Sequence, residues 1–200
     1  MGSVISNFLK AFGGHVAKKV LMVGLDNAGK TTILYTFQAK GLTASVDEIT
    51  VPTVGFNVEN IKVGGVTITV WDIGGQKKIR SLWGFYADGL SGLVYVIDIE
   101  DRTRWESAVE ELKKILDKDA ESSRERYPVL ILANKIDKVP ESKAKEVQEA
   151  FIQTLGPSQL FSGHPWRIFQ CSAKHGDLSD ITQGFTWLAD HLTEGSAQGK

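Results

Sequence analysis

Lys19-Val20-Leu21-Met22-Val23-Gly24-Leu25-Asp26-Asn27-Ala28-Gly29-Lys30-Thr31 decides how this chain is read. Its last eight residues fit G-x-x-x-x-G-K-[ST], the loop with which nucleotide-binding proteins hold phosphate. The motif carries weight only where a strand runs in and a helix runs out. Lys19 to Val23 has strand length and character, and Thr32-Ile33-Leu34-Tyr35-Thr36-Phe37-Gln38 can start a helix. Gly24 and Gly29 let the backbone turn tightly, so that its N–H groups meet phosphate oxygens at a helix N-terminus. Lys30 brings a mobile positive charge to the outer phosphates, and the Thr31 hydroxyl can ligate Mg²⁺. The competing reading is a Gly-rich strand–helix turn without a ligand, and the flanking elements weigh against it.

Composition sets the bounds around this loop. Two hundred residues suit one domain, and 42% hydrophobic with 24% charged residues is the soluble globular range. A net charge of −1 argues against a general nucleic-acid binder. Cys171 has no partner for an internal disulfide, which fits a reducing compartment. The four histidines are scattered without zinc-site spacing, and apolar runs such as Leu93 to Ile97 fall far short of a membrane span.

Toward the N-terminus, Met1-Gly2-Ser3-Val4-Ile5-Ser6 matches M-G-x-x-x-[ST], an N-myristoylation signal on Gly2. Val4, Ile5, Phe8, Leu9 and Phe12 then share one helical face, and Gly13-Gly14 ends that helix. No acid precedes Asp26, whereas Lys10, Lys18 and Lys19 do, so this arm suits anionic lipid. One myristoyl chain binds membrane only at on the order of 10⁴ M⁻¹, so the apolar face would be the necessary second signal. A helix that packs on the domain and is never acylated is the bland alternative. These features divide the chain into an anchor and hinge (1–17), a nucleotide-binding domain (18–193) and a polar tail (194–200).

Toward the C-terminus, a polar connection through Ala44 to Glu48 reaches Pro52-Thr53-Val54-Gly55, where Thr53 can offer Mg²⁺ a second hydroxyl. Phe56 to Val63 and Val66 to Trp71 read as strands joined at Gly64-Gly65. The second strand delivers Asp72-Ile73-Gly74-Gly75-Gln76. Asp72 can hold Mg²⁺ through a water, Gly75 can present its N–H to a γ-phosphate, and Gln76 can orient an attacking water. Taken alone, these residues would be a Gly-rich turn and an exposed Gln. Ser91 to Asp98 and Pro128 to Ala133 are nearly continuous apolar runs, as in strands covered on both faces. Helical spacing runs from about Thr103 to Asp117, from Ser142 to Leu155 and from Leu178 to Leu192. Lys118 to Arg126 and Gly156 to Pro165 read as loops.

The second of those apolar runs leads into Asn134-Lys135-Ile136-Asp137, and N-K-x-D reads guanine in phosphate-loop proteins. Asp137 can accept both guanine N–H donors, whereas adenine would leave that carboxylate unpaired in a buried site. Lys135 can lie along the base, and Asn134 can tie this loop to the phosphate loop. After a last strand, Arg167 to Gln170, the backbone N–H groups of Ser172, Ala173 and Lys174 would face the guanine O6. Cys171 reads as a buried small residue.

In order and spacing these motifs match a small GTPase, and from Gly2 to about Leu192 the chain resembles the Arf/Arf-like family. The residues that carry the resemblance are Gly24 to Thr32, Pro52-Thr53-Val54-Gly55-Phe56-Asn57, Trp71-Asp72-Ile73-Gly74-Gly75-Gln76 and Asn134-Lys135-Ile136-Asp137. The base loop at Cys171 to Lys174 and the long loops favour an Arf-like member over a strict Arf. The resemblance implies an α/β fold: a doubly wound, mostly parallel six-stranded sheet with one antiparallel edge strand, helices on both faces and an N-terminal amphipathic helix. Its ligands would be GTP or GDP with Mg²⁺. The nucleotide would be held by Gly24, Leu25, Asp26, Asn27, Ala28, Gly29, Lys30, Thr31, Thr32, Thr53, Gly75, Asn134, Lys135, Asp137, Ser172, Ala173 and Lys174. Asp26 has a counterpart in that family, and its backbone N–H is expected to matter more than its charge.

The family also implies a mechanism. GTP draws Thr53 and Gly75 to the γ-phosphate, the hairpin slides, and the N-terminal helix is expelled toward membrane. Phe56, Trp71 and Tyr86 would then meet effectors. Hydrolysis should be slow, with Gln76 as the catalytic residue and no internal arginine finger evident. An exchange factor, a GTPase-activating protein and effectors would be the partners of a monomer in the cytoplasm, reversibly on endomembranes such as the Golgi and serving vesicle-mediated transport. The alternative is a cytosolic GTP-dependent scaffold or cargo-release factor with negligible hydrolysis and no acylation. A phosphoryl-transferring kinase would leave Gln76 and the base loops without a role.

Overall fold

Alternation inside the apolar strands splits the interior into two cores, one on each face of a single sheet. The structure, a computed structural model, describes residues 18–38, 55–87, 89–122, 126–174 and 178–194. The expected anchor helix with Gly2, the connection at 44–48, Thr53 and the end of the polar tail lie outside the described residues.

The strands are β1 (Lys18–Val23), β2 (Phe56–Val63), β3 (Val66–Ile73), β4 (Gly92–Asp98), β5 (Val129–Asn134) and β6 (Trp166–Gln170). The main helices are α1 (Lys30–Gln38), α4 (Trp105–Ser122), α5 (Glu141–Leu155) and α7 (Ser179–Glu194). Short helices α2 (Lys77–Arg80), α3 (Trp83–Tyr86) and α6 (Pro157–Leu160) complete the set. The sheet order is β2-β3-β1-β4-β5-β6. Among the described residues only the β2–β3 pairing is antiparallel, as the sequence predicts for an edge hairpin.

Val20, Met22, Val94, Val96, Leu130 and Leu132 face one core beneath α1 and α7, closed by Ile33, Phe185 and Leu188. Leu21, Val23, Leu93, Tyr95, Ile97, Val129 and Ile131 face the other, beneath α4 and α5, closed by Leu112, Val147 and Phe151. Period-two side chains on strands covered from both sides give this division. The carboxyl ends of β1, β3, β4 and β5 therefore open on one rim, where the candidate residues lie.

Two local readings change, and one further stretch gains elements. Residues 118–122 continue α4 instead of forming a loop, because Lys, Asp, Ala and Glu keep helical propensity without a breaker. Pro157 starts a further turn of helix after Gly156, a proline at the position where its missing N–H costs nothing. Between Gln76 and Ser91, for which the sequence reading names no element, α2 and α3 form, anchored by Trp83 at 1% exposure.

Candidate functional site

At the end of β1 the chain turns through Gly24 to Gly29 and enters α1 at Lys30. Gly29 has φ +92°, and a Cβ there would lie 2.2 Å from Asn134 Nδ2, so only glycine fits. Asn134, buried at the end of β5, donates from Nδ2 to the Ala28 carbonyl at 2.8 Å. Its Oδ1 accepts from Ala173 N at 3.0 Å, with the Cys171 thiol at 3.8 Å. One amide thus fastens three loops together. Of the three backbone N–H groups expected to face a guanine O6, that of Ala173 is engaged by Asn134, because a buried amide oxygen needs a donor.

Lys30 is 6% exposed, and its Nζ donates to the Gly24 and Leu25 carbonyls at 2.9 and 3.1 Å. Burial brings its pKa down to about 8, against the pull of Asp72 and Asp26 and with the push of Arg80. Thr31 Oγ1 donates to Asp72 Oδ2 at 2.6 Å. Asp72 is fully buried, and among the described residues its other oxygen, Oδ1, has no hydrogen-bond partner. Burial raises its pKa, opposed by the Thr31 hydrogen bond and the Lys30 charge.

Gly75 lies flat against the loop, with its carbonyl accepting from Asp26 N at 3.1 Å. A Cβ on Gly75 would come within 2.4 Å of Asp26 N and the Gly24 carbonyl. Gly74 is held from the other side, its carbonyl accepting from Trp83 Nε1 at 3.2 Å. Gln76, the next residue, is exposed. Beyond these, Phe56, Trp71 and Tyr86 form one aromatic cluster with centroids 5.7 to 5.9 Å apart.

The family model of the ADP-ribosylation factors matches residues 4–192. The chain belongs to the ADP-ribosylation factor family. A solved structure of the Arl6 BBS3 small GTPase from Trypanosoma brucei, with bound nucleotide analogue GppNp, is 32% identical to it. That match has a TM-score of 0.73 and covers 89% of this chain and 98% of that one. As an ADP-ribosylation factor family member the chain is a small GTPase: it binds GTP and GDP with Mg²⁺, hydrolyses GTP and acts as a GTP-binding switch. Its partners are those of a small GTPase, an exchange factor, an activating protein and effectors.

The donor set fits the metal of this family. A buried carboxylate with an orphaned oxygen, next to a threonine hydroxyl at a phosphate loop, is hard oxygen chemistry suited to Mg²⁺. When bound, the ion would supply positive charge to the outer phosphate oxygens.

Three residues stand differently from their sequence reading. Asp26 uses its charge, since Oδ1 pairs with Arg80 Nη2 at 2.8 Å and Oδ2 with Arg104 Nη1 at 3.1 Å. Burial raises its pKa, but the Arg80 hydrogen bond, its own backbone and the Arg104 charge outweigh that and lower it. Its N–H, meanwhile, is taken by Gly75. Lys135 has φ +67° and places Nζ 2.7 Å from Asp98, an ion pair that steers its stem. Asp137, which the sequence reading sets in a buried site, is exposed. Sequence reasoning in this ADP-ribosylation factor relative misses Arg80, Arg104, Trp83 and Asp98. No motif includes them, and only the paradox of an acid in a phosphate loop pointed toward a cationic partner.

Proposed function

We propose that this GTPase reads the γ-phosphate through the turn at Gly74 to Gln76 and passes that state to the β2–β3 hairpin, and from there to membrane and effectors. In this reading Gly24 to Thr32 hold the phosphates, Thr31, Thr53 and Asp72 serve Mg²⁺, and Asn134, Lys135, Asp137 and Ser172 to Lys174 address guanine. Water, oriented by Gln76, attacks the γ-phosphorus and the bond to the β-phosphate oxygen breaks. GDP leaves with the electron pair, and the water protons end on inorganic phosphate and solvent. Without a partner's arginine the step is slow.

The observation that carries the reading is the contact of Gly75 with the phosphate loop, Asp26 N to Gly75 O at 3.1 Å. That contact brings the residue before Gln76 against the loop proposed to hold the phosphates, which supports the reading. The Arl6 match, solved with GppNp, supports a triphosphate at this rim. The Gly2 signal and the apolar face at 4–12 support membrane recruitment of a monomer through the N-terminus, at endomembranes.

Gln76→Leu should retain GTP binding and lose stimulated hydrolysis in a single-turnover phosphate-release assay. Asp137→Asn should shift preference from guanine toward xanthine nucleotides, and unchanged GTP affinity would remove the base-reading role. Intact mass of the protein from its native cell, with liposome flotation under GDP and GppNp, tests the membrane arm. An unmodified Gly2 without nucleotide-dependent flotation favours the cytosolic scaffold instead.

A further inference from the structure

Arg80 grips two sites at once. Its Nε donates to the Gly75 carbonyl at 2.8 Å and its Nη2 to Asp26 Oδ1 at 2.8 Å, from a side chain only 13% exposed. The Gly75 carbonyl also accepts from Asp26 N at 3.1 Å, so it has two donors. That carbonyl belongs to the same planar peptide unit as the Gln76 N–H. Fixing it fixes the plane from which the Gln76 side chain departs. The other oxygen of Asp26 is held by Arg104, whose Nε is held in turn by Asp101 at 2.6 Å. Asp26 is therefore an anchored post, braced from the α4 side, onto which Arg80 fastens the start of the catalytic turn.

We propose that Arg80 is a positioning residue for GTP hydrolysis: braced by Asp26 and Arg104, its guanidinium orients the Gly75–Gln76 peptide and so aims Gln76. The proposal rests on the reading that Gln76 orients the attacking water. An acid inside a phosphate loop is electrostatically adverse to an anionic ligand. Here two guanidinium groups offset it, and the acid supplies the fixed point that a forked donor needs. A lysine offers both acceptors a single nitrogen on a flexible stem in place of two donors fixed in one planar fork, so it cannot hold the same geometry.

The test compares the full-length chain with Arg80→Lys, Asp26→Asn and the double variant. Single-turnover GTP hydrolysis and GTP affinity are measured in parallel, with amide hydrogen exchange across Gly74 to Arg80 as a readout independent of turnover. Arg80→Lys should slow hydrolysis by about tenfold or more while affinity moves less than about threefold, since misaimed groups lower the chemical step more than binding. Exchange across the segment should rise. Asp26→Asn should act in the same direction, and the double variant should fall short of the product of the two, because both remove one grip. Parental hydrolysis and exchange in Arg80→Lys would overturn the proposal. So would a loss of affinity equal to the loss of rate, which marks Arg80 as a binding residue. If Gln76→Leu itself hydrolyses GTP normally, the underlying reading fails, whatever Arg80→Lys does.

Discussion

Thr31 Oγ1 and Asp72 Oδ2 lie 2.6 Å apart across 41 residues of chain, so one short hydrogen bond ties the first turn of α1 to the end of β3. The bond gives a buried carboxylate a donated proton, while Oδ1 has no partner among the described residues. Asp72 is held in a site that disfavours its charged form, since its folded pKa lies above the ordinary value of 3.8. The favourable contribution of such an acid is complete below that ordinary value and is lost as pH rises through the folded one. Ionising Asp72 in this site is then a cost that a cation relieves.

Mg²⁺ should accordingly raise the Tm of the protein more at pH 7 than near pH 4. Thr31→Val, which keeps the shape and removes the hydroxyl, should destabilise by about 1–3 kcal/mol by stranding the carboxylate. It should also erase the effect of EDTA on nucleotide release. Thr31→Ser should behave as the parent in urea denaturation and in release kinetics.

Lys30 predicts the opposite pH trend. Its pKa falls from 10.5 to about 8 on burial, so between those values the unfolded chain keeps a proton that the folded chain has shed. Stability rises with pH across that window for this residue. The stability difference between Lys30→Met and the parent in nucleotide-free urea titrations should therefore shift in the parent's favour from pH 8 toward 10. A difference that is flat over that range contradicts a buried, easily deprotonated Lys30.

Asn134→Ala removes the bonds to Ala28 and Ala173 together. Two buried backbone groups lose their partners, at about 1–3 kcal/mol each. The loss should appear as a lower urea midpoint with an unchanged slope, and as faster nucleotide release. Asn134→Asp retains the acceptor for Ala173 N while losing the donor to Ala28, so it should fall between Ala and the parent.

Trp83→Phe keeps most of a fully buried ring but removes the indole N–H that holds Gly74. A cost of about 1–3 kcal/mol is expected for the orphaned carbonyl. Hydrogen exchange should rise at Gly74 and Gly75 ahead of the rest of the sheet. Uniform loosening would assign Trp83 to packing alone.

The sheet was legible because its signals are local. Val20 to Val23, Leu93 to Ile97 and Val129 to Ala133 are apolar runs of strand length, and the Gly64-Gly65 turn sets the one reversal of direction. The phosphate loop, Asp72 and Asn134 were legible because residue type and spacing together specify oxygen and amide chemistry. What stayed hidden depends on distance in sequence. Arg80 and Arg104 reach Asp26 across 54 and 78 residues, and no spacing rule covers such a gap. The end of α4 was missed for a different reason, since charged residues at its last turns are as compatible with a solvated helix as with a loop. Asp137 reads as buried from the sequence because its role assumes a base packed against it.

The edge hairpin has a mechanical consequence. β2 pairs only with β3, and β3 joins the rest of the sheet through one parallel ladder to β1, running from Lys18 opposite Ile68 to Met22 opposite Asp72. Ile68 and Val70 point into a core while Thr67 and Thr69 are only partly covered. A displacement by one residue would turn the threonines inward and the aliphatic side chains out. Two residues, about 6.6 Å, is the shortest travel that restores every contact face. If the hairpin shifts as proposed, this alternation would make it move in two-residue steps and would carry Asp72, at the last rung, by the same distance.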